Sequence, residues 1–173
     1  MRISTGAVLF VVLLMAGCSA NGSGTQQAQP TQTDVLTQSS PTQAGVTLGT
    51  QVLYPEGSGG VTALQYRRGI KTENDKPGTR WDAMKVKTCA PAEEDITVSW
   101  TPWGLVDADG GRYAAKGDTY TIPKPEYPFD DGVVTQGECV VGWVVVGIPL
   151  ATKAVGIRYQ SADGFTARWK VPS

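Results

Sequence analysis

Residues 137–149 read GECVVGWVVVGIP, and this apolar stretch is the most informative about the fold. Side chains along a β-strand alternate between two faces. Here one face carries Cys139, Val141, Trp143 and Val145, and the other carries Val140, Val144 and Val146. Because both faces are apolar, we predict a central strand that protein covers on both sides. Gly142 interrupts the run, which indicates a bulge or a close neighbouring backbone.

Residues 165–171, FTARWKV, show a different pattern. Phe165, Ala167, Trp169 and Val171 share one face, whereas Thr166, Arg168 and Lys170 share the other. This alternation predicts a strand with one face in the core and one face in water.

Short stretches of alternating character recur along the chain, separated by Gly, Pro and Asp clusters, and no apolar stripe has helical spacing. We predict strands at 46–54, 61–68, 81–89, 96–101, 103–106 with 112–115, 119–122, 138–148, 154–159 and 165–171. This pattern over residues 45–173 predicts one all-β domain, a β-sandwich of about seven to nine strands.

Composition excludes several classes of function. The chain has 173 residues, and 15 Lys and Arg against 16 Asp and Glu give a net charge of −1, so we expect no nucleic-acid partner. The absence of His excludes His-dependent nucleophiles and His zinc ligands. Because the chain also lacks a glycine-rich phosphate loop and a nucleophile elbow, we expect neither a cofactor nor catalytic residues.

Residues 1–17 have the features of an export leader. Arg2 supplies a positive start, residues 7–15 form a short apolar core, and two small residues precede Cys18. The motif LMAGC at 14–18 resembles the bacterial lipobox, whose Cys receives a diacylglycerol on its sulfur. We therefore predict a lipoprotein signal peptide and an anchor through acyl chains on Cys18, at the outer face of the bacterial cytoplasmic membrane. An ordinary secretory leader with an incidental Cys is the alternative.

Residues 18–44 are predicted to be the lipidated Cys18 followed by a flexible tether. Ser, Gly, Thr, Gln, Ala and Pro dominate this stretch, and Asp34 is its only charged residue. It has too little apolar surface to offset the entropy of ordering a chain. As a flexible coil it would reach about 28 Å from the membrane.

Three segments follow one another in an informative order: AMKVKTC at 83–89, ITVSWTPWGLVDADGGRY at 96–113 and GECVVGWVVVGIP at 137–149. Together they resemble a domain family of unknown function found in secreted and lipid-anchored proteins of Gram-positive bacteria, especially actinobacteria. The matching positions are Val86, residues 105–110 with Tyr113, Gly137, Glu138 and Pro149. The resemblance covers residues 60–171 and implies an immunoglobulin-like β-sandwich, also seen in a small secreted mycobacterial antigen. It implies no catalytic residues.

The cysteines predict one disulfide bond. If lipid occupies Cys18, an even pair remains, Cys89 and Cys139, in a protein exported to an oxidising compartment. Closing this loop would stabilise the domain by up to about 4 kcal/mol. Strict alternation places Cys89 on the face of Lys85 and Lys87, so either a bulge intervenes or the bridge lies near the edge of the sandwich.

Residues 107–111, DADGG, allow two interpretations. Asp107 and Asp109 resemble the opening of a calcium loop, which would also need further ligands. An Asp-Gly pair between two strands is also typical of a hairpin turn, and we favour the turn.

Two weaker candidates for ligand binding remain. Arg67 and Arg68 begin a basic run that could meet an anionic wall polymer or a lipid headgroup, although mixed charges usually form a solvated surface. Trp103 follows Pro102 at a predicted strand break, and we expect it to be the most exposed tryptophan.

These features favour a non-catalytic, membrane-anchored binding module whose partner is an envelope protein or a cell-wall polymer. The alternative is a small carbohydrate-active or metal-dependent envelope enzyme. Such an enzyme would draw its paired carboxylates from Glu93, Glu94, Asp95, Asp130 and Asp131.

Overall fold

The computed structural model describes residues 45–73, 76–115 and 122–172, all of which belong to one compact unit. The predicted signal peptide at 1–17, the tether at 18–44 and most of the predicted strand at 119–122 lie outside the described residues. Within the described ranges, no helix has the length and apolar character needed to cross a membrane.

The described residues form eleven β-strands and no helix. In chain order these are β1 (Val46–Thr47), β2 (Gln51–Val52), β3 (Gly60–Ile70), β4 (Thr79–Cys89), β5 (Ile96–Val98), β6 (Trp103–Asp107), β7 (Arg112–Ala114), β8 (Gly132–Val134), β9 (Cys139–Pro149), β10 (Ala154–Gln160) and β11 (Thr166–Lys170). The predicted all-β sandwich is confirmed. The strands outnumber the prediction partly because segment 46–54 divides into β1 and β2, and because the short β8 was not predicted.

The strands form two main sheets and a small ribbon. The five-stranded sheet has the order β1-β11-β10-β6-β7, and the four-stranded sheet has the order β2-β3-β4-β9. Strands β5 and β8 pair by themselves. All pairs between these strands are antiparallel except β1 with β11. This arrangement brings two hairpins that are distant in sequence, β6–β7 and β10–β11, onto one continuous surface.

The core lies between the inner faces of the two main sheets. Buried aromatic side chains are prominent in it, and Trp103, Tyr159 and Trp169 come from the five-stranded sheet. The indole N–H of Trp169 donates to the backbone carbonyl of Thr50 at 2.8 Å. A buried indole N–H with a partner avoids the penalty of an unpaired donor, so this hydrogen bond also holds the chain between β1 and β2 against the core.

Strand β9 corrects one prediction and confirms another. Its middle is buried as predicted, but β9 is the last strand of its sheet rather than a central one. The adjacent segment covers this edge, because Tyr127 N–H donates to Trp143 O at 3.1 Å and Trp143 N–H donates to Pro125 O at 2.9 Å. Gly142 permits this approach, since a Cβ there would collide with the backbone of Tyr127. The predicted close neighbour is therefore present.

The predicted disulfide between Cys89 and Cys139 is present. The two residues are opposite each other at the end of the β4–β9 ladder, with their Cα atoms 4.0 Å apart. The ladder runs without a register shift, so no bulge turns Cys89 inward. The bridge therefore joins neighbouring strands of one sheet at its end, on the face that also carries Lys85 and Lys87.

Candidate functional site

Three arginines share the outer face of the five-stranded sheet. Arg158 on β10 is directly opposite Arg168 on β11. Arg112 lies on β7, which is separated from β10 by β6. Each alternates along its strand with side chains of the inner face, such as Ile157 and Trp169. With strands about 4.8 Å apart, the three arginines span about 14 Å across the sheet. We call this surface the arginine face.

Two glycines form the floor of the arginine face. Gly104 on β6 pairs with Arg158, and Gly156 lies two residues before Arg158 on β10. A Cβ at Gly104 would come within 2.7 Å of the Tyr113 carbonyl oxygen, and a Cβ at Gly156 would come within 2.9 Å of the Trp169 carbonyl oxygen. Because no side chain fits at either position, Gly104, which is partly exposed, leaves the backbone of β6 open to an approaching ligand, whereas Gly156 is buried beside Val106.

Two open cavities lie on this face. The larger has a volume of about 690 Å³, and Arg112, Arg158, Gln160 and Ser161 are among its lining residues. The smaller, of about 360 Å³, is lined by Gly156, Arg168 and Lys170 among others. The arginine face is therefore concave, with cationic side chains and neutral polar groups along the same cavity.

The charges of the arginine face have no acidic partner in the described part of the chain. The ion pairs found there are Arg80–Asp82 and Lys124–Glu126. Partial burial, followed by the positive charges of Arg112 and Arg168, lowers the pKa of Arg158 below its ordinary value. An anion placed between these guanidinium groups would relieve their mutual repulsion and accept their hydrogen bonds.

The basic candidates predicted on β3 are arranged differently. The Arg67 guanidinium lies over the Trp143 ring, 4.4 Å from its centroid. Arg68 is exposed and lines a separate cavity of about 240 Å³ with Lys153. A stacked guanidinium already has a favourable contact, so Arg67 is less available to a ligand than Arg158 is.

Arg80, from the same basic run, belongs to a buried network. Its Nε donates to Asp82 at 2.8 Å, and its terminal nitrogens donate to the carbonyls of Leu150 and Thr152 at 2.9 Å and 2.8 Å. The Tyr66 hydroxyl donates to Asp82 as well. The hydrogen bond with Asp82 raises the pKa of Arg80, and burial followed by that with Asp82 raises the pKa of Tyr66. This network ties β3 and β4 to the loop after β9.

The prediction that Trp103 is exposed is wrong, because only 1% of its surface is accessible. Trp103 begins β6 and points into the core with Leu105. Its ring lies 4.9 Å from that of Tyr159 and 5.8 Å from that of Trp169. Pro102 ends the preceding turn rather than breaking the strand, so the inward alternation starts at Trp103.

The Asp-Gly segment forms the predicted hairpin between β6 and β7. Asp107 Oδ1 accepts the backbone N–H groups of Asp109 at 3.1 Å and of Gly111 at 2.6 Å. Its Oδ2 accepts the Tyr113 hydroxyl at 2.8 Å. The bond from Tyr113, and then those from the turn, lower the pKa of Asp107. Both oxygens of Asp107 therefore already serve the turn, and Asp109 is exposed at its tip.

The acidic residues of the enzyme alternative fall into two exposed groups. Glu93, Glu94 and Asp95 precede β5, and Asp130 and Asp131 precede β8. Because β5 and β8 are antiparallel, the two groups lie at opposite ends of the ribbon, with backbones about 13 Å apart along the ladder. Glycosidase carboxylates are closer, at about 5 to 9.5 Å.

The arginine face was not predicted from the sequence, although one signal was available. The alternation at 165–171 already placed Arg168 on a wet face. The same period places Arg158 opposite Ile157 and Tyr159, and Arg112 opposite Tyr113. What remained unknown was the strand order, which brings these separate segments together.

Comparison with solved structures shows the fold. A secreted protein of Mycobacterium tuberculosis, MPT63, aligns with a TM-score of 0.55 and 12% identity, over 72% of this chain and 95% of that one. The yjhA protein of Bacillus subtilis aligns with a TM-score of 0.53 and 14% identity, over 73% and 99% of the two chains. A functionally unknown protein of Listeria monocytogenes EGD-e aligns with a TM-score of 0.51 and 11% identity, over 74% and 84%.

At these identities the likeness shows a shared β-sandwich and no more. It agrees, for the fold, with the resemblance to a small secreted mycobacterial antigen. No protein-family model and no curated protein matches the sequence.

Proposed function

We propose that this protein is a membrane-anchored surface lipoprotein that presents a non-catalytic immunoglobulin-like binding module. Acyl chains on Cys18 hold it at the outer face of the bacterial cytoplasmic membrane, residues 18–44 form the tether, and residues 45–173 form the module. The observation that carries the binding role is the arginine face, where Arg112 and Arg158 line the larger cavity, Arg168 lines the smaller, and none of the three has an acidic partner in the described residues.

Two further features support this proposal. The disulfide between Cys89 and Cys139 fits an exported protein, because such bonds persist in oxidising compartments. The acidic residues do not favour the alternative of a carbohydrate-active or metal-dependent enzyme. Asp107 is occupied by its own turn, Asp82 is paired with Arg80, and the two acidic groups at 93–95 and 130–131 lie at opposite ends of the β5–β8 ribbon.

Metabolic labelling with a fatty acid tests the anchor. In a bacterial host that lipidates exported proteins, we expect label on the wild-type chain and none on the Cys18→Ala variant. The variant should also remain as precursor or be shed from the membrane fraction. A Ser19→Ala variant is the control and should label like wild type. Equal labelling of the wild type and Cys18→Ala would contradict the lipoprotein proposal.

A further inference from the structure

We propose that the arginine face binds a linear anionic polymer of the cell envelope in which phosphodiesters alternate with polyol or sugar units. Arg112, Arg158 and Arg168 would hold the phosphates, and the polymer would lie across strands β7, β6, β10 and β11. This inference rests on the proposed function, because only a module displayed outside the cell would meet such a polymer.

The first argument is the distribution of charge. The chain contains 16 acidic residues, so pairing partners for the three arginines are available in the composition. Yet within the described ranges the ion pairs occur at Arg80 and Lys124, and the neighbours that shift the pKa of Arg158 are two other arginines. A cation cluster of this kind, in which Arg158 and Arg168 are partly buried and Arg112 is exposed, gains most from an external anion.

The second argument is spacing. Arg158 and Arg168 are cross-strand neighbours, whose Cβ atoms lie about 5 Å apart, so one phosphate can accept hydrogen bonds from both guanidinium groups. Arg112 is two strands from Arg158, about 10 Å across the sheet, and would take another phosphate. The arrangement therefore suits a repeating anion better than a single one.

The third argument is the neutral part of the surface. Gln160 lines the same cavity as Arg112 and Arg158, and its amide can exchange hydrogen bonds with hydroxyl groups. Ser161 lines it as well, but its hydroxyl donates to the Phe165 carbonyl at 3.2 Å and is left as an acceptor. Gly104, which is partly exposed, allows an extended chain to lie close to the backbone of β6. Alternating phosphate and hydroxyl-rich units match this alternation of cationic and neutral polar groups.

The shape disfavours the anionic headgroups of a bilayer as the ligand. Basic surfaces that bind membranes commonly combine Lys or Arg with large apolar side chains that enter the interface. In the described part of the chain, none of the exposed large apolar residues lines the larger cavity, and Val155 is the one that lines the smaller cavity. A bilayer is also too broad and flat to enter a concave surface between strands.

The test is a titration of a fluorescently labelled linear glycerol phosphate polymer with the full-length protein in detergent, followed by anisotropy. We expect saturable binding by the wild type. The triple variant Arg112→Gln, Arg158→Gln, Arg168→Gln should bind about 100-fold more weakly, because each lost guanidinium contact costs several-fold in affinity. The matched control, Arg68→Gln, Lys85→Gln, Lys87→Gln, removes the same charge from the other sheet and should bind within about threefold of the wild type.

Two further measurements examine the mechanism. Arg158→Lys keeps the positive charge but cannot form the bidentate hydrogen bonds of a guanidinium, so we expect the affinity for the polymer to fall about fivefold. The logarithm of the affinity should fall with the logarithm of salt concentration with a slope near 2, about 0.7 for each of three contacts. The slope should be close to zero in the arginine triple variant. Tryptophan fluorescence and melting temperature establish that each variant is folded.

Several outcomes would overturn the inference. The absence of polymer binding, or equal loss in the two triple variants, would contradict a specific site. A second outcome is that the protein fails to bind the polymer but binds vesicles of anionic lipid more strongly than neutral vesicles. If the arginine triple variant loses that vesicle binding, the arginine face binds membranes rather than a polymer. Fatty-acid labelling at Cys18 is measured separately from polymer binding. A failure to bind the polymer would therefore leave the lipid-anchor proposal intact, and a failure to label Cys18 would leave the binding result intact.

Discussion

Arg80 and Arg158 are both partly buried arginines within strands, but their surroundings differ. Arg80 has Asp82 at 2.8 Å and two backbone carbonyls to accept its remaining donors. Arg158 has Arg112 and Arg168 as its charged neighbours. The pKa of Arg80 is raised, mainly by its hydrogen bond with Asp82, whereas that of Arg158 is lowered by burial and like charge.

Arg80 therefore serves the structure of the domain, whereas Arg158 is free to bind an anionic ligand. The buried pair Arg80–Asp82 is complete within the protein, so its loss should affect folding. Arg158 lacks an acidic partner in the described residues, so its loss should affect binding and leave folding almost unchanged. Asp82→Ala and Arg158→Gln test this division. Variants of the disulfide and of the Asp107 turn fall between them in the stability that each should cost.

Replacing Asp82 with Ala should have the largest effect on stability. Asp82 is completely buried and accepts hydrogen bonds from Arg80, Tyr66 and the Gly69 amide. Its removal leaves a buried guanidinium without its counter-ion, which costs about 3 to 5 kcal/mol. Urea unfolding measures this loss, with the exposed Asp109→Ala as control, for which we expect almost no change. A small effect of Asp82→Ala would show that the hydrogen-bond network of Arg80, Asp82 and Tyr66 contributes little to the stability of the domain.

Removing the disulfide should have the next largest effect. The double variant Cys89→Ser, Cys139→Ser opens a loop with a sequence separation of 50 residues. The chain-entropy relation then predicts a loss of up to about 4 kcal/mol. Urea unfolding of the variant measures it, and a Cys18→Ser variant should unfold like the wild type.

Peptide mapping provides a direct check of the same bridge. Without reductant, digestion of the exported protein should yield one species that links the peptides of Cys89 and Cys139. Two free thiols per folded domain would contradict the pairing.

Local alternation was sufficient to predict most long strands and their faces. Ala167 and Trp169 are buried and Lys170 is exposed, as the pattern at 165–171 indicated. Gly142 marked the close approach of Tyr127, because a missing side chain within an apolar run leaves room for a neighbouring backbone. These features depend on neighbouring residues in the sequence, and so they could be read from it.

Properties that depend on strand order could not be read in this way. Strand β9 has two apolar faces but lies at a sheet edge, because residues 125–127 replace the missing strand. A strand break at Pro102 predicts an exposed Trp103, whereas the inward alternation begins immediately after the proline. Arg112, Arg158 and Arg168 become one site only when β7, β6, β10 and β11 are adjacent.

A smaller effect is expected at Asp107 and Asp109. The Asn oxygen can accept the same backbone N–H groups, its amide N–H can donate to the Tyr113 oxygen where Asp107 accepts from it, and Asn tolerates turn geometry. The double variant Asp107→Asn, Asp109→Asn should therefore melt near the wild type. Millimolar calcium should leave the melting temperature of both proteins unchanged. A calcium-dependent rise in the wild type that the variant lacks would overturn the turn interpretation, because a bound metal stabilises the native state.

The same pair of proteins should differ in acid. The hydrogen bonds to Asp107 lower its pKa in the folded state, first that from Tyr113. The contribution of Asp107 to stability is therefore fully present at pH values above its ordinary pKa, near 3.8. It is lost as the pH falls through the lower pKa of the folded state. We expect the double Asn variant to lose less stability than the wild type between about pH 5 and pH 2, measured by thermal melting at each pH.

The smallest effect on stability should come from Arg158→Gln. This change removes a cation that is repelled by Arg112 and Arg168 and has no acidic partner among the described residues. We expect the free energy of unfolding to change by at most about 0.5 kcal/mol, in the stabilising direction at low salt, where repulsion is screened least. Arg80→Gln is the matched change, and it should destabilise the protein by several times that amount because Asp82 would remain buried without its partner. Urea unfolding at low and high salt measures both variants. Equal losses would show that Arg158 is as necessary to the fold as Arg80 is, and would remove the distinction on which the binding role of the arginine face depends.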